Sequence, residues 1–265
     1  MAKFDLTGPF TPINALGGTL ILLVRRPSAL LILIASQWLS GLVVDVFGPF
    51  SQLRADGDTL ARLSGLVSLV ALIAIQACCQ VVVVKRLIWD AMDVEAGYDP
   101  AIRASLPTVG WVLLVGLLAS LGLGVGFSLL VVPGLYFLCR WWVVVPATVE
   151  ERTEAFPAFS RSRALTQGHK GAIFLALFVV LIIFIGLRSL VRALVAPDIF
   201  RRAHEIVAHG GPDAVFLEIY QPIQEGLFLA IGYALMAYTY CHLRVLKDAE
   251  PKEAAADPTA WTGRR

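Results

Sequence analysis

The chain has 265 residues, of which 57% are hydrophobic and only 16% are charged, and its mean hydropathy is +0.74. Soluble domains are usually about 45–50% apolar, so this composition excludes an ordinary soluble fold and favours a membrane protein. The formal net charge of +2 is small and scattered, which excludes nucleic acid as a partner. All four cysteines lie in apolar runs, which indicates packed thiols and no disulfide framework.

The first 26 residues predict a helix that lies on the inner membrane surface. Residues 13–24 are apolar, and Arg25, Arg26 and Pro27 close the run without a signal-peptide cleavage site after it. Apolar side chains fall on one side of such a helix, as an interfacial helix requires. They are Ile13, Leu16, Leu20, Leu23 and Val24.

Six later runs are long enough to cross a bilayer, which takes about 20 helical residues. They cover residues 28–47, 60–84, 106–126, 129–149, 172–194 and 223–243. The sequence is almost continuously apolar through the third and fourth runs. The GLGVG cluster at 122–126 predicts a tight reversal between them. The sequence therefore predicts an all-α polytopic membrane protein.

The distribution of positive charge predicts the orientation of these spans. With both termini in the cytoplasm, inner segments hold fifteen Lys and Arg residues and outer segments hold six, which favours N-in and C-in. Residues 1–247 then form one membrane domain, in which 195–222 is an outer loop. Residues 248–265 predict a disordered cytoplasmic tail.

Polar side chains inside the spans form a first candidate site. Arg140 is the one ionisable residue near the middle of a span, where a charge is expensive in lipid. It either lines a cavity that holds an anionic headgroup, or snorkels or pairs with Asp45 or Glu225 as a structural tie, and the structural interpretation is favoured. Gln76 and Gln80 lie one turn apart and can hydrogen-bond across helices.

A ladder of small residues predicts close helix packing in the third run. Gly116, Ser120 and Gly124 recur at intervals of four, so they share one face of a helix. Such a face lets two helices approach closely, either within the chain or between two copies of it.

Residues 150–170 predict a cytoplasmic helix on the inner membrane surface. Acidic residues lie at its start and basic residues at its end, which is the charge distribution that the helix dipole favours. Gly168 is expected to end the helix. Its apolar side is expected to enter the inner leaflet, while the basic groups attract anionic lipid by about 1 kcal/mol each. The candidate residues are Phe156, Phe159, Arg161, Arg163, Leu165 and Lys170.

The sequence predicts neither catalysis nor a metal or cofactor. His204 and His209 flank a segment that resembles a zinc-protease helix, but they are five residues apart and face different sides of a helix. No nucleophile–base pair or nucleotide-binding loop is recognisable. The acidic residues after the second run, beginning with Asp90, are interpreted as a solvated helix end.

Three segments share a pattern with a known family: VVPGLYFLCRWWVVVPATVEE, AFPAFSRSRALTQGHKG and YTYCHLRVLKD. Together they resemble the membrane domain of glycerophosphoryl diester phosphodiesterases and of related stand-alone bacterial inner-membrane proteins. The matching residues are Pro133, Gly134, Arg140, Pro146, Glu150, Ser162, Leu165, Gly168, Tyr240, Leu243 and Arg244, while Phe159 stands where the family often has leucine. The resemblance implies a helical membrane module; it does not imply phosphodiesterase activity, because the fused enzymes carry catalysis on a separate soluble barrel.

These observations together predict a non-enzymatic module of the bacterial inner membrane. It is expected to act as a scaffold, partner subunit or lipid-associated protein, with membrane lipids as partners and a larger membrane complex or a second copy as further candidates. The alternative function is that of a small transporter or lipid-handling protein with a cavity near Arg140.

Overall fold

The computed structural model describes residues 6, 8–52, 59–194 and 212–256, and every regular element among them is a helix. We number ten α-helices in chain order, with one 3-10 turn at Leu106–Thr108 between the fourth and fifth. They are α1 (Pro12–Arg25), α2 (Pro27–Gln52), α3 (Thr59–Ala91), α4 (Tyr98–Ser105), α5 (Val109–Leu129), α6 (Val131–Trp141), α7 (Val144–Glu151), α8 (Ala155–Thr166), α9 (Lys170–Leu194) and α10 (Pro212–Ala256).

Five helical stretches among the described residues are long and apolar enough to cross a membrane. They are Gly65–Ala91, Tyr98–Leu129, Val131–Glu151, Lys170–Leu194 and Glu218–Asp248. The pair Pro12–Arg25 and Pro27–Val43 makes a sixth candidate if the two helices form one span, although the chain bends by 83° between them. The prediction of an all-α chain with several helices long and apolar enough to span a membrane is confirmed.

The reversal between the third and fourth predicted runs is a hairpin of α5 and α6, but the glycine cluster does not form the turn. The chain reverses at Leu130, which has extended backbone angles. The glycines instead allow the two helices to approach, since a Cβ on Gly126 would lie 3.1 Å from the Cα of Gly134. A Cβ on Gly122 would lie 2.5 Å from the ring of Trp141. The hairpin was predicted correctly, and the role of the glycines was not.

Helix α1 has the apolar face that the N-terminal segment predicts. Ile13 and Val24 are each 80% exposed on that face. The opposite face packs against α10, where Gly18 contacts the ring of Tyr238 so closely that a Cβ has no room. Placement of α1 on the membrane surface remains a prediction.

Several boundaries differ from those predicted. The segment 150–170 is not one helix, because α7 ends at Glu151 and α8 covers only Ala155–Thr166. Lys170 starts α9. Helix α10 begins at Pro212, inside the predicted outer loop, and continues to Ala256, inside the predicted disordered tail. Most of that loop and the end of that tail lie outside the described residues.

Candidate functional site

The span that carries Arg140 is broken, and α8 caps the break. Helix α6 ends at Trp141 and α7 begins at Val144, so the carbonyl of Arg140 has no partner in a continuing helix. The hydroxyl of Ser162 donates to this oxygen at 3.0 Å; the hydroxyl of Thr166 lies 3.3 Å from it and has a shorter hydrogen bond, 2.9 Å, to the carbonyl of Ser162. Both side chains are fully buried. The serine of the matched pattern therefore has a structural role: it satisfies a backbone group that the break exposes.

We expect Ser162→Ala to destabilise the protein by about 1 kcal/mol, because it removes one hydrogen bond to a buried carbonyl. The hydroxyl of Thr166 is within reach of that carbonyl and can turn to it when Ser162 is lost, so Ser162→Ala combined with Thr166→Val is expected to have a larger effect. Thermal unfolding in mild detergent measures both. Ser160→Ala, on the same helix but exposed, is the control. Equal melting temperatures for Ser162→Ala and Ser160→Ala would contradict the capping role.

Two adjacent carboxylates at the end of α7 bind residues of three other helices. The carboxylate of Glu150 accepts a hydrogen bond from the amine of Lys85 on α3 at 2.8 Å. The guanidinium of Arg244 on α10 lies 3.6 Å from the same carboxylate. Glu151 accepts from Arg161 of α8 at 2.9 Å and from the hydroxyl of Tyr240 at 2.9 Å. The network fixes α8 against the bundle.

This network changes the predicted role of the acidic residues. Glu150 and Glu151 do not begin the surface helix but end α7, where the helix dipole disfavours them and the basic partners offset it. Arg161 is correspondingly an ion-pair partner and not a free lipid-contacting group. Although burial lowers the pKa of Arg161, the hydrogen bond and charge of Glu151, with the charge of Asp248, raise its pKa above the ordinary value.

Arg140 faces a pocket between α5, α6 and α8. The pocket has a volume of about 410 Å³. Its lining is aromatic and cationic: Leu118, Arg140, Trp141, Phe156, Phe159, Ser160 and Arg163. The rings of Trp141 and Phe159 meet edge to face at 5.1 Å, which fixes one wall. The Nε atom of Arg140 is buried and makes no hydrogen bond among the described residues.

Three basic residues beside this pocket lack an acidic partner. Arg140, Arg163 and Lys170 make no ion pair with any described residue, whereas Lys85, Arg161 and Arg244 all do. The amine of Lys170 donates to the hydroxyl of Tyr136 at 3.2 Å and lies 4.4 Å from the centre of that ring. We call Arg140, Arg163 and Lys170 the cationic cluster. Its charge is not neutralised by the described part of the protein.

Of the two structural ties proposed for Arg140, only the one to Glu225 lies within the described side chains. Arg140 and Glu225 do not form a pair. Glu225 lies 19 residues before Arg244 on the same helix, which is about 28 Å along a helix and places it towards the other end of α10. Asp45 belongs to α2, in a stretch whose side chains the structure does not describe.

Residues predicted for the apolar side of the surface helix divide between two environments. Leu165 is fully buried in the protein core, so the prediction that it enters the inner leaflet is wrong. Phe156 is 77% exposed and Phe159 is half-buried in the pocket wall. Gly168 has a φ of +89° just after the helix ends, as the expected C-terminal glycine does.

The predicted cross-helix bond of the glutamine pair is present at Gln76, whose amide donates to Ser40 of α2 at 3.1 Å. Gln76 and Gln80 line a mostly apolar groove of about 870 Å³ with Gly116 and Ser120. A Cβ on Gly116 or Gly124 would meet no described atom within 4 Å. These glycines therefore make no close helix contact within the described chain, and packing between copies remains a prediction.

Sequence reasoning missed a buried charge cluster at the end of α3. Asp90 is not solvated, since it is only 8% exposed. Its carboxylate lies 2.7 Å from the guanidinium of Arg26 and 3.0 Å from that of Arg86. Its hydrogen bond to Arg26 is the main cause that raises the pKa of that arginine. The spacing of four between Arg86 and Asp90 was a visible signal, since such residues are neighbours on a helix.

Within the described ranges, no group of three His, Cys, Asp or Glu side chains is arranged to hold a metal ion. His204 and His209 lie outside those ranges. His242 packs at the N-terminal segment, where its Nε2 is 2.8 Å from the carbonyl of Gly8.

No family model, curated protein or solved structure matches this chain. The resemblance to the membrane domain of glycerophosphoryl diester phosphodiesterases stays a prediction.

Proposed function

We propose that this protein is a non-enzymatic lipid-binding module of the bacterial inner membrane, with six spans and both termini in the cytoplasm. In this proposal it belongs with the membrane modules that its sequence resembles. The pocket at Arg140 and Arg163 binds the anionic headgroup of a lipid in the inner leaflet.

The observation that carries the proposal is the unneutralised cationic cluster beside an aromatic pocket. A buried guanidinium nitrogen without a partner is destabilising, and an anionic oxygen would supply the missing hydrogen bond. Arginine suits this role because its planar group binds a phosphate through two parallel hydrogen bonds. Trp141, Phe156 and Phe159 give the same pocket an apolar surface for the beginning of an acyl chain.

Charge removal tests this function directly. In a variant with Arg140→Gln and Arg163→Gln, retention of phosphatidylglycerol should fall by about thirtyfold, since each arginine contributes about 1 kcal/mol to anionic lipid binding. Native mass spectrometry of the purified full chain, loaded with phosphatidylglycerol, measures the change. Arg152→Gln removes one positive charge outside the pocket and is the control for each of the two substitutions taken singly.

Each outcome has a clear meaning. A loss in the double variant but not in Arg152→Gln supports the site. Equal retention in all three proteins overturns it. A stoichiometric protein that co-purifies in place of lipid would instead favour a scaffold or partner subunit, for which the open face at Gly116 and Gly124 offers a contact surface.

A further inference from the structure

A second charged cavity lies between α2, α3, α9 and α10. Its volume is about 530 Å³, within the usual range for small-ligand sites. It is lined by Gln37, Gln76, Phe184, Arg188, Gln224, Glu225, Phe228, Leu229 and Tyr233. The sequence singled out Glu225 and Gln76 separately, but it did not indicate that they share a cavity with Arg188.

The charged residues of this cavity lie far from the cationic cluster. Arg188 follows Lys170 by 18 residues on α9, or about 27 Å along a helix. A similar length of α10 separates Glu225 from Arg244. Because a bilayer core is about 30 Å thick, the two cavities serve opposite sides of one membrane in the proposed topology.

Opposite charges share the mouth of the cavity without neutralising each other. Arg188 and Glu225 form no ion pair with each other or with any other described residue. Arg188 is held instead by a neutral group: in the amide orientation assigned from the hydrogen-bond network, the oxygen of Gln224 accepts from its Nε at 3.1 Å and from its Nη1 at 3.2 Å. The amide nitrogen of Gln224 donates to the hydroxyl of Tyr220 at 2.9 Å, which sets this orientation. One positive and one negative group therefore remain available to a ligand.

The wall below the mouth is aromatic. Phe184 and Phe228 lie one turn deeper than the charged residues on their helices, and their ring centres are 4.4 Å apart. Gln37, Gln76 and Tyr233 line the cavity at about half the length of the bundle. A ligand with two opposite charges and an apolar extension matches this order of groups.

We propose that this cavity binds a zwitterionic headgroup, with a phosphate at Arg188 and an ammonium group at Glu225. Phosphoethanolamine has this chemistry, either as the headgroup of a phospholipid or as a soluble molecule. An anionic lipid without an ammonium group would place no cation against Glu225, so the site should select against it. The inference does not depend on the proposed function of the Arg140 pocket.

The test compares phosphatidylethanolamine with phosphatidylglycerol on the full-length protein by native mass spectrometry. The unsubstituted chain should retain phosphatidylethanolamine about tenfold better at this site, because a charge-assisted hydrogen bond contributes on the order of 1.5 kcal/mol. Glu225→Gln should abolish that preference, while Arg188→Gln should weaken the retention of both lipids. Glu218→Gln and Arg192→Gln remove the same charges from the same helices outside the cavity and should leave retention unchanged.

A background that carries Arg140→Gln and Arg163→Gln separates the two sites, because phosphatidylglycerol at the first pocket is then removed. The preference for phosphatidylethanolamine should persist there, even if the first pocket binds no lipid at all. Competition by soluble glycerophosphoethanolamine would identify a free solute as the ligand source, and its failure to compete would identify the lipid. No preference in that background, or an equal preference when Glu225→Gln is added to it, overturns the proposal.

Discussion

Replacing Asp90 by asparagine is expected to lower the free energy of unfolding by about 3–5 kcal/mol, because it leaves a buried cation without its counter-charge. Arg86 is only 1% exposed, and its two terminal nitrogens make no hydrogen bond among the described residues. The Asp90 carboxylate, 3.0 Å away, is its ion-pair partner in the described chain. The same carboxylate binds Arg26 at 2.7 Å, at the bend between α1 and α2. Thermal unfolding in detergent measures the loss.

A matched control for this variant exists nine residues after Asp90. Asp99 and Arg103 also form an ion pair at a spacing of four, but their side chains are 73% and 78% exposed. Asp99→Asn is therefore expected to leave the melting temperature unchanged. Adding Arg86→Leu to Asp90→Asn should restore part of the lost stability by removing the uncompensated charge. Equal melting temperatures for Asp90→Asn and Asp99→Asn would refute the argument.

Gly226→Ala is expected to force α2 and α10 apart and to destabilise the protein by about 1–3 kcal/mol. A Cβ on Gly226 would lie 2.7 Å from the Cα of Ile34 and 2.8 Å from its backbone nitrogen. Both atoms belong to the backbone of α2, so no side-chain rotation relieves the contact. The melting temperature in detergent should fall accordingly.

Gly232 provides the comparison on the same helix. A Cβ there meets no described atom within 4 Å, so Gly232→Ala should be neutral or slightly stabilising, as alanine is in a helix interior. If Gly226→Ala unfolded no earlier than Gly232→Ala, the close approach of α2 and α10 would not be a feature of the protein in solution.

The class of fold and most helices follow from the length of the apolar runs alone. The break between α6 and α7 has one local signal, Pro146, which has no N–H for the carbonyl of Trp142 and crowds it, but this signal does not show what satisfies the carbonyl of Arg140. What satisfies that carbonyl is the hydroxyl of Ser162 on α8, with that of Thr166 close by, about two dozen residues later in the chain. Helical periodicity describes one helix and carries no information about such a partner.

The candidate sites were predictable to a different extent. Arg140 was visible because an arginine in an apolar run is conspicuous, and the aromatic residues of α8 were also identified. Their assembly into one pocket depends on how α8 docks, which the sequence does not encode locally. Asp90 was misassigned because acids at helix ends are usually solvated, and only packing against α1 and α2 buries it. That Glu225 and Arg188 line one cavity was likewise not predictable, because they lie on different helices and only the packing of those helices brings them into the same cavity.

The capping of the Arg140 carbonyl by α8 also has a consequence for biogenesis. A chain enters the membrane from its N-terminus, so residues 131–151 leave the ribosome before Ser162 and Thr166 do. During that interval the break exposes a backbone oxygen that lipid does not satisfy. We therefore expect stable integration of this span to await synthesis of the helix that follows it, so that the order of translation becomes part of the folding pathway.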